Sequence, residues 1–162
     1  MKKLFLFAII AFAMSIASQA QDFKTFENKA FSIDYPADWA VTWEGDEWVN
    51  IANEDGDGDI RFDVTFNDEG PMKSQLKETV DNWSYMKESN GHKVDQKLVK
   101  EDYALVRSIE TDEDDGTQSV EVWFIMISTE PQCFTGSIKC PFERANDAID
   151  ILVSMLATLS PK

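Results

Sequence analysis

The chain has 162 residues, 30 of them acidic and 15 basic, for a formal charge of −15. A field of that sign repels nucleic acid, whose phosphates are bound by Lys and Arg, and it disfavours docking on anionic lipid. It favours a soluble monomer, basic protein partners or divalent cations.

Lys2 and Lys3 precede a short apolar run from Leu4 to Met14, and Ser18-Gln19-Ala20 places small residues where a leader peptidase cuts. This pattern predicts a signal peptide over 1–20 and a periplasmic or secreted protein. The run is shorter than the roughly 20 residues a bilayer crossing needs. No cysteine follows it, so nothing marks a lipoprotein-type cleavage. Cleavage removes two basic residues and no acidic one, taking the net charge from −15 to −17. No repeat, low-complexity tract or Pro/Gly-rich linker interrupts 21–162, which reads as a single domain.

Phe31, Ile33 and Tyr35 alternate with polar residues and end at Pro36, predicting a half-buried strand followed by a turn at Pro36-Ala37-Asp38-Trp39. Extended structure resumes over Val41 to Trp43 and again over Trp48 to Ala52. Ile60, Phe62, Val64 and Phe66 alternate strictly with Arg61, Asp63, Thr65 and Asn67, the signature of a strand with one wet face. The period then becomes helical. From Met72 to Glu88, Leu76, Val80, Trp83 and Met86 share one stripe, with Gly70-Pro71 before it and Gly91 after. Val94 to Val99 and Tyr103 to Glu110 read as strands, joined through the acidic turn Thr111 to Thr117 to a long apolar strand from Ser119 to Ser128. Pro131-Gln132 turns the chain into a strand from Cys133 to Cys140. Pro141 opens a last helix over 142–159, with Ala145, Ile149, Leu152, Leu156 and Leu159 as its apolar stripe. Two amphipathic helices and a doubly covered strand predict an α+β fold, an antiparallel sheet with a helix on each face.

In an extended Cys133–Cys140 segment the two Cα atoms lie more than about 20 Å apart, and their side chains point to opposite faces. A bridge needs about 7 Å, so free buried thiols are expected unless Gly136 turns the chain sharply.

The segment Phe31-Ser-Ile-Asp-Tyr-Pro-Ala-Asp-Trp-Ala-Val41 resembles the PsbP-like superfamily, whose opening hairpin runs aromatic, alternating apolar, Tyr-Pro, then a nearby Trp. The order of elements is also similar to that family, and Ile151-Leu-Val-Ser154-Met155 resembles its last helix. The resemblance implies an α/β/α sandwich and an accessory or binding role. It brings no catalytic residues, because the motif closes a core around the Pro36 corner and carries no chemistry.

Candidate chemistry is sparse. Asn53, Asp55 and Asp57 stand at positions 1, 3 and 5 of an EF-hand-like loop, with Gly58 at the turning position and Asp59 beside it. Val64 falls where the bidentate carboxylate belongs, so the segment is either a weak calcium site or a polar hairpin connection. Asp112, Asp114 and Asp115 crowd the second acidic turn; were both turns at one end of the sheet, they would form a cation-attracting rim. Trp43 and Trp48 bracket Glu44-Gly45-Asp46-Glu47, a pair that would anchor a partner or stack on a sugar if exposed, and would be core if tucked beneath the hairpin. His92 is the only histidine, which argues against a zinc site and against Ser-His catalysis. The sequence therefore predicts a non-enzymatic accessory module of the cell envelope that engages a protein partner through Asp112, Asp114, Asp115, Trp43 and Trp48. The alternative is a secreted calcium- or saccharide-binding domain.

Overall fold

The computed structural model describes residues 22–53 and 59–162; the expected signal peptide and the loop residues Asp55 and Asp57 lie outside them. Among the described residues ten strands and two α-helices follow in the order β1 (Phe23–Glu27), β2 (Phe31–Pro36), β3 (Trp39–Glu44), β4 (Trp48–Asn53), β5 (Arg61–Asn67), α1 (Leu76–Ser89), β6 (Lys93–Val99), β7 (Tyr103–Thr111), β8 (Gln118–Thr129), β9 (Gln132–Pro141), α2 (Ala145–Leu156) and β10 (Ser160–Pro161). A seven-stranded antiparallel sheet runs β3-β4-β5-β9-β8-β7-β6, and a second sheet joins β1, β2 and β10.

The alternation read in β5 is what the sheet uses. Phe62, Val64 and Phe66 face one side and meet Val49, Ile51, Val122, Phe124, Phe134 and Ile138 in the main core. This side is closed by α2, through Ala145, Ala148, Leu152 and Met155, and by Phe31, Ile33 and Tyr35 of the small sheet. The opposite side of the large sheet is covered by α1 over β6, β7, β8 and the start of β9. There Leu76 and Val80 pack on Ala104, Val106, Ile125, Ile127 and Cys133, with Trp83 beside them. One helix on each face is the predicted sandwich, with part of the α1 face left open.

The ends of α1 follow from local chemistry. A 3-10 turn, Lys73–Gln75, leads into α1, and at its start Gln75 Oε1 and Glu130 Oε1 accept the Met72 and Lys73 N–H groups at 2.8 and 2.6 Å. At the other end Gly91 adopts φ +81°, and the His92 N–H reaches Lys87 O at 3.0 Å while the Gly91 N–H reaches Glu88 O at 3.1 Å. That pair of bonds is the Schellman closure, so Gly91 stops the helix as the sequence suggested.

Three expectations are corrected. The motif strands β2 and β3 do not form a hairpin: β2 pairs with β1 and β10, and β3 pairs with β4. Pro36–Trp39 is instead the corner where the chain passes from one sheet to the other, with Tyr35 and Trp39 buried on either side. The last α-helix spans Ala145–Leu156 after a single 3-10 turn at Phe142–Arg144, and its inner stripe includes Ala148 and Met155, with Ile149 and Leu156 only partly buried. Two strands, β1 and β10, add an edge pairing that the sequence pattern did not show.

The cysteines are as expected. Cys133 and Cys140 are free and buried, one in the α1 core and the other in the α2 core, at opposite ends of extended β9. Burial pushes the Cys140 thiol up to about 11. Among the described residues no helix is long and apolar enough to cross a membrane.

Candidate functional site

The open part of the α1 face is built by the wet sides of β3, β4, β5 and β9. The strand register places Trp43, Asn50, Asp63, Ser137 and Trp123 in one row across five strands. The neighbouring row holds Trp48, Thr65 and Thr135. At about 4.8 Å per strand, the first row spans roughly 19 Å from one indole to the other.

Trp43 and Trp48 do not tuck beneath their hairpin. Trp43 is 71% exposed and Trp48 is 38% exposed. The Trp48 indole rests against Gly45, where a Cβ would lie 2.3 Å from Nε1. Their turn is tied to the β1–β2 connection: Asn28 Nδ2 donates to Gly45 O at 2.9 Å, the Ala30 N–H to Asp46 O at 3.2 Å, and Lys29 pairs with Asp46. Two apolar rings are thus held in water by a fixed loop.

Between this edge and α1 lies an open depression of about 370 Å³, lined by Asp63, Trp83, Glu121, Trp123, Thr135, Gly136 and Ser137. Trp83 and Trp123 meet edge to face at 5.7 Å. Lys87 reaches down from α1, its Nζ 4.0 Å from the centre of the Trp123 ring and paired with the Glu121 carboxylate. Asp63 accepts the Ser137 N–H at 3.0 Å and the Ser137 hydroxyl at 2.7 Å. Its carboxyl is nonetheless held above the ordinary range, because desolvation outweighs these bonds and the Glu121 charge adds to it. Gly136 lets this floor close up. A Cβ there would sit 2.1 Å from Asp63 O and 2.8 Å from the Phe124 ring.

The acidic turns are elsewhere. The register sets the ends of the β4–β5 connection at the same end of the sheet as the β7–β8 tip, with the end of β9 between them. Both strand ends lie opposite the Trp43/Trp48 turn, so the β7–β8 tip and the tryptophans do not form one patch. At the β7–β8 tip, Asp112 Oδ1 accepts the Asp114 N–H and Asp115 Oδ1 accepts the Thr117 N–H, each at 2.8 Å. The Thr117 bonds hold Asp115 below the usual carboxylate range. Asp112 and Asp115 therefore shape the turn, while Asp114 is exposed at its apex. Of the calcium candidates, Asn53 is buried with its Oδ1 accepting the Ile60 N–H at 2.8 Å, which closes the loop, and Asp59 is exposed. Among the described residues no cluster of three or more His, Cys, Asp or Glu is arranged to hold a metal ion. His92 sits beside Glu110 to Asp114 in a second open depression.

Asp63, Trp83, Glu121, Trp123 and Ser137 were not singled out by sequence reasoning. Each reads alone as an ordinary wet-face or helix residue, and only the register brings them together.

No family model matches the chain, and no curated protein matches it at a significant level. Solved structures do. The Ran-binding protein Mog1p of Saccharomyces cerevisiae aligns with a TM-score of 0.63 at 16% identity, over 87% of this chain and 96% of that one. A mutant form of Mog1 gives 0.62 at 16% identity, over 86% and 95%. Cyanobacterial PsbP from Synechocystis gives 0.52 at 5% identity, over 93% and 99%. Identities this low speak for the fold alone. The chain has the PsbP-like α+β sandwich fold, an arrangement that Mog1 shares.

Proposed function

We propose that this chain is an exported, non-enzymatic accessory module that binds a protein partner across the open part of its α1 face. One observation carries the reading: Trp43 and Trp48 stand exposed on a sheet face that the chain's own helix leaves uncovered. Large aromatic side chains held in a fixed orientation are the residues most often found at binding hot spots, since they bury much area at little entropic cost. The Asp114 tip, remote from that face, steers a basic partner through long-range charge. The fold's presence in a protein described as Ran-binding agrees with a protein-binding role. In this reading the chain acts as a monomer in the periplasm or outside the cell.

The test is affinity capture from the envelope fraction with wild type, with a Trp43→Ala/Trp48→Ala variant, and with Asp112→Asn/Asp114→Asn/Asp115→Asn. Wild type is expected to retain one discrete partner at high salt, the tryptophan variant to lose it, and the tip variant to capture it more slowly. Capture unchanged in the tryptophan variant would remove the open face from the proposal. Absence of any partner at either salt would remove the accessory role itself.

A further inference from the structure

The open face carries a carboxylate, Asp63, that no cation among the described residues pairs with. Glu121 is satisfied by Lys87, but among the described residues Asp63 forms no ion pair and has only the two Ser137 donors. Lys139, on the same face and opposite Arg61 in the neighbouring row, is paired with Glu110 at 2.6 Å. Among the described residues the depression therefore holds one carboxylate without a cationic partner, in the row that ends at the Trp123 indole. The protein itself displays what such surroundings accept. Lys87 lies on the Trp123 ring with Glu121 as its counter-ion, a cation–π contact combined with an ion pair.

We propose that the depression seats a lysine or arginine side chain of the partner protein, with Asp63 as counter-ion and the Trp83–Trp123 pair as aromatic wall. This rests on the open face being the protein-binding surface. A neutral sugar could hydrogen-bond Asp63 but would not neutralise its charge, and a hard divalent cation would find Glu121 already paired with Lys87 and no cluster of three or more His, Cys, Asp or Glu among the described residues. The chain's charge of −15 raises the local concentration of basic segments around the site. The row from Trp43 to Trp123 gives an extended segment a floor to lie on while one side chain enters.

The experiment is a titration of isotopically labelled protein with capped Gly-Lys-Gly, Gly-Arg-Gly and Gly-Gln-Gly peptides, following the Trp83 and Trp123 indole N–H and the Ser137 amide by NMR. The Lys or Arg peptide is expected to shift these signals saturably in the millimolar range, and the Gln peptide to bind about tenfold more weakly. Asp63→Asn should abolish the difference between the peptides while its indole dispersion stays native. Asn keeps both Ser137 bonds, the amide accepting one and donating to the hydroxyl. Asp147→Asn, at an exposed position of α2 on the other side of the sheet, should leave the shifts and the peptide preference unchanged. Binding should also weaken on acidification as Asp63 takes up a proton. The groups around it are its donor Ser137 and Lys139 from β9, Glu121 from β8, and Arg61 two residues along its own strand, while Lys87 from α1 is paired with Glu121. Equal shifts from the Gln peptide, shifts confined to residues 111–117, or the same indoles answering only to an oligosaccharide would each overturn the proposal. A partner lost by the Trp43→Ala/Trp48→Ala variant, with no response to the Lys peptide, would overturn this inference and leave the open-face reading standing.

Discussion

Replacing Lys87 by Met tests whether the ion pair beneath α1 helps hold that helix on the sheet. The Lys87 side chain is 7% exposed and that of Glu121 is 20% exposed, so both charges sit largely out of water. Met retains the apolar stem against Trp123 and removes only the ammonium, which confines the loss to electrostatics. Breaking a buried pair from one side costs about 3–5 kcal/mol because a charge is left behind without its partner. Glu121 keeps a fifth of its side chain in water. That partial screening brings the expected cost of Lys87→Met below that range, to roughly 2–3 kcal/mol. For a chain of this size it corresponds to a fall in Tm of about 4–12 °C. Glu121→Gln should cost a similar amount, and the double variant less than the two combined, by about 1–2 kcal/mol. Urea denaturation followed by far-UV circular dichroism reads all three midpoints without relying on the tryptophans near the mutation. Single-variant losses that add to within about 0.5 kcal/mol would refute the coupling. The docking of α1 would then rest on Leu76, Val80 and Trp83 alone.

Gly136→Ala should be destabilising by about 3 kcal/mol or more, since the new Cβ would meet Asp63 O at 2.1 Å and the Phe124 ring at 2.8 Å; an unchanged urea midpoint would contradict this. Asp63→Asn should raise Tm near neutral pH. Folding lifts the Asp63 carboxyl above its unfolded value of 3.8, so its ionised form opposes folding, and the wild type loses stability as pH rises through the folded value. The advantage of the Asn variant should shrink on acidification and vanish below the unfolded value, and a pH-independent difference would show the shift is not there. Cys133 and Cys140 should resist alkylation at mildly alkaline pH in the native protein and both react in urea, as mass spectrometry would show. Trp43→Ala, at a site 71% exposed, should leave stability within about 0.5 kcal/mol of wild type while weakening partner capture.

The elements legible in the sequence are those whose burial is one-sided and regular. β5 alternates because one side meets the α2 core and the other meets water, and α1 carries a helical stripe with a glycine stop because a single face packs on β7 and β8. The free thiols follow from the same geometry, seven residues of extended chain setting Cys133 and Cys140 on opposite faces. Elements with little to bury left no such trace. β1 buries only Phe26, and β10 is two exposed residues recognised by their pairing with β2.

Other features were decided by tertiary structure. Pro36–Trp39 reads locally as a hairpin turn because a tight corner uses the same residues whether the chain returns along its own strand or enters a second sheet. In α2 two adjacent apolar stripes compete, and the shape of the sheet beneath selects Ala148 and Met155 over Ile149 and Leu156. The candidate site is the clearest case. Asp63, Trp83, Glu121 and Ser137 come from four elements, and Lys87 lies 34 residues from Glu121. No spacing along the chain marks them. Composition alone determined the sign of the protein's charge, and alternation determined which residues of each strand are wet. The order β4-β5-β9-β8 then decided which of those wet residues share a row, and that adjacency puts a carboxylate with no cationic partner among the described residues in the row of the Trp123 indole.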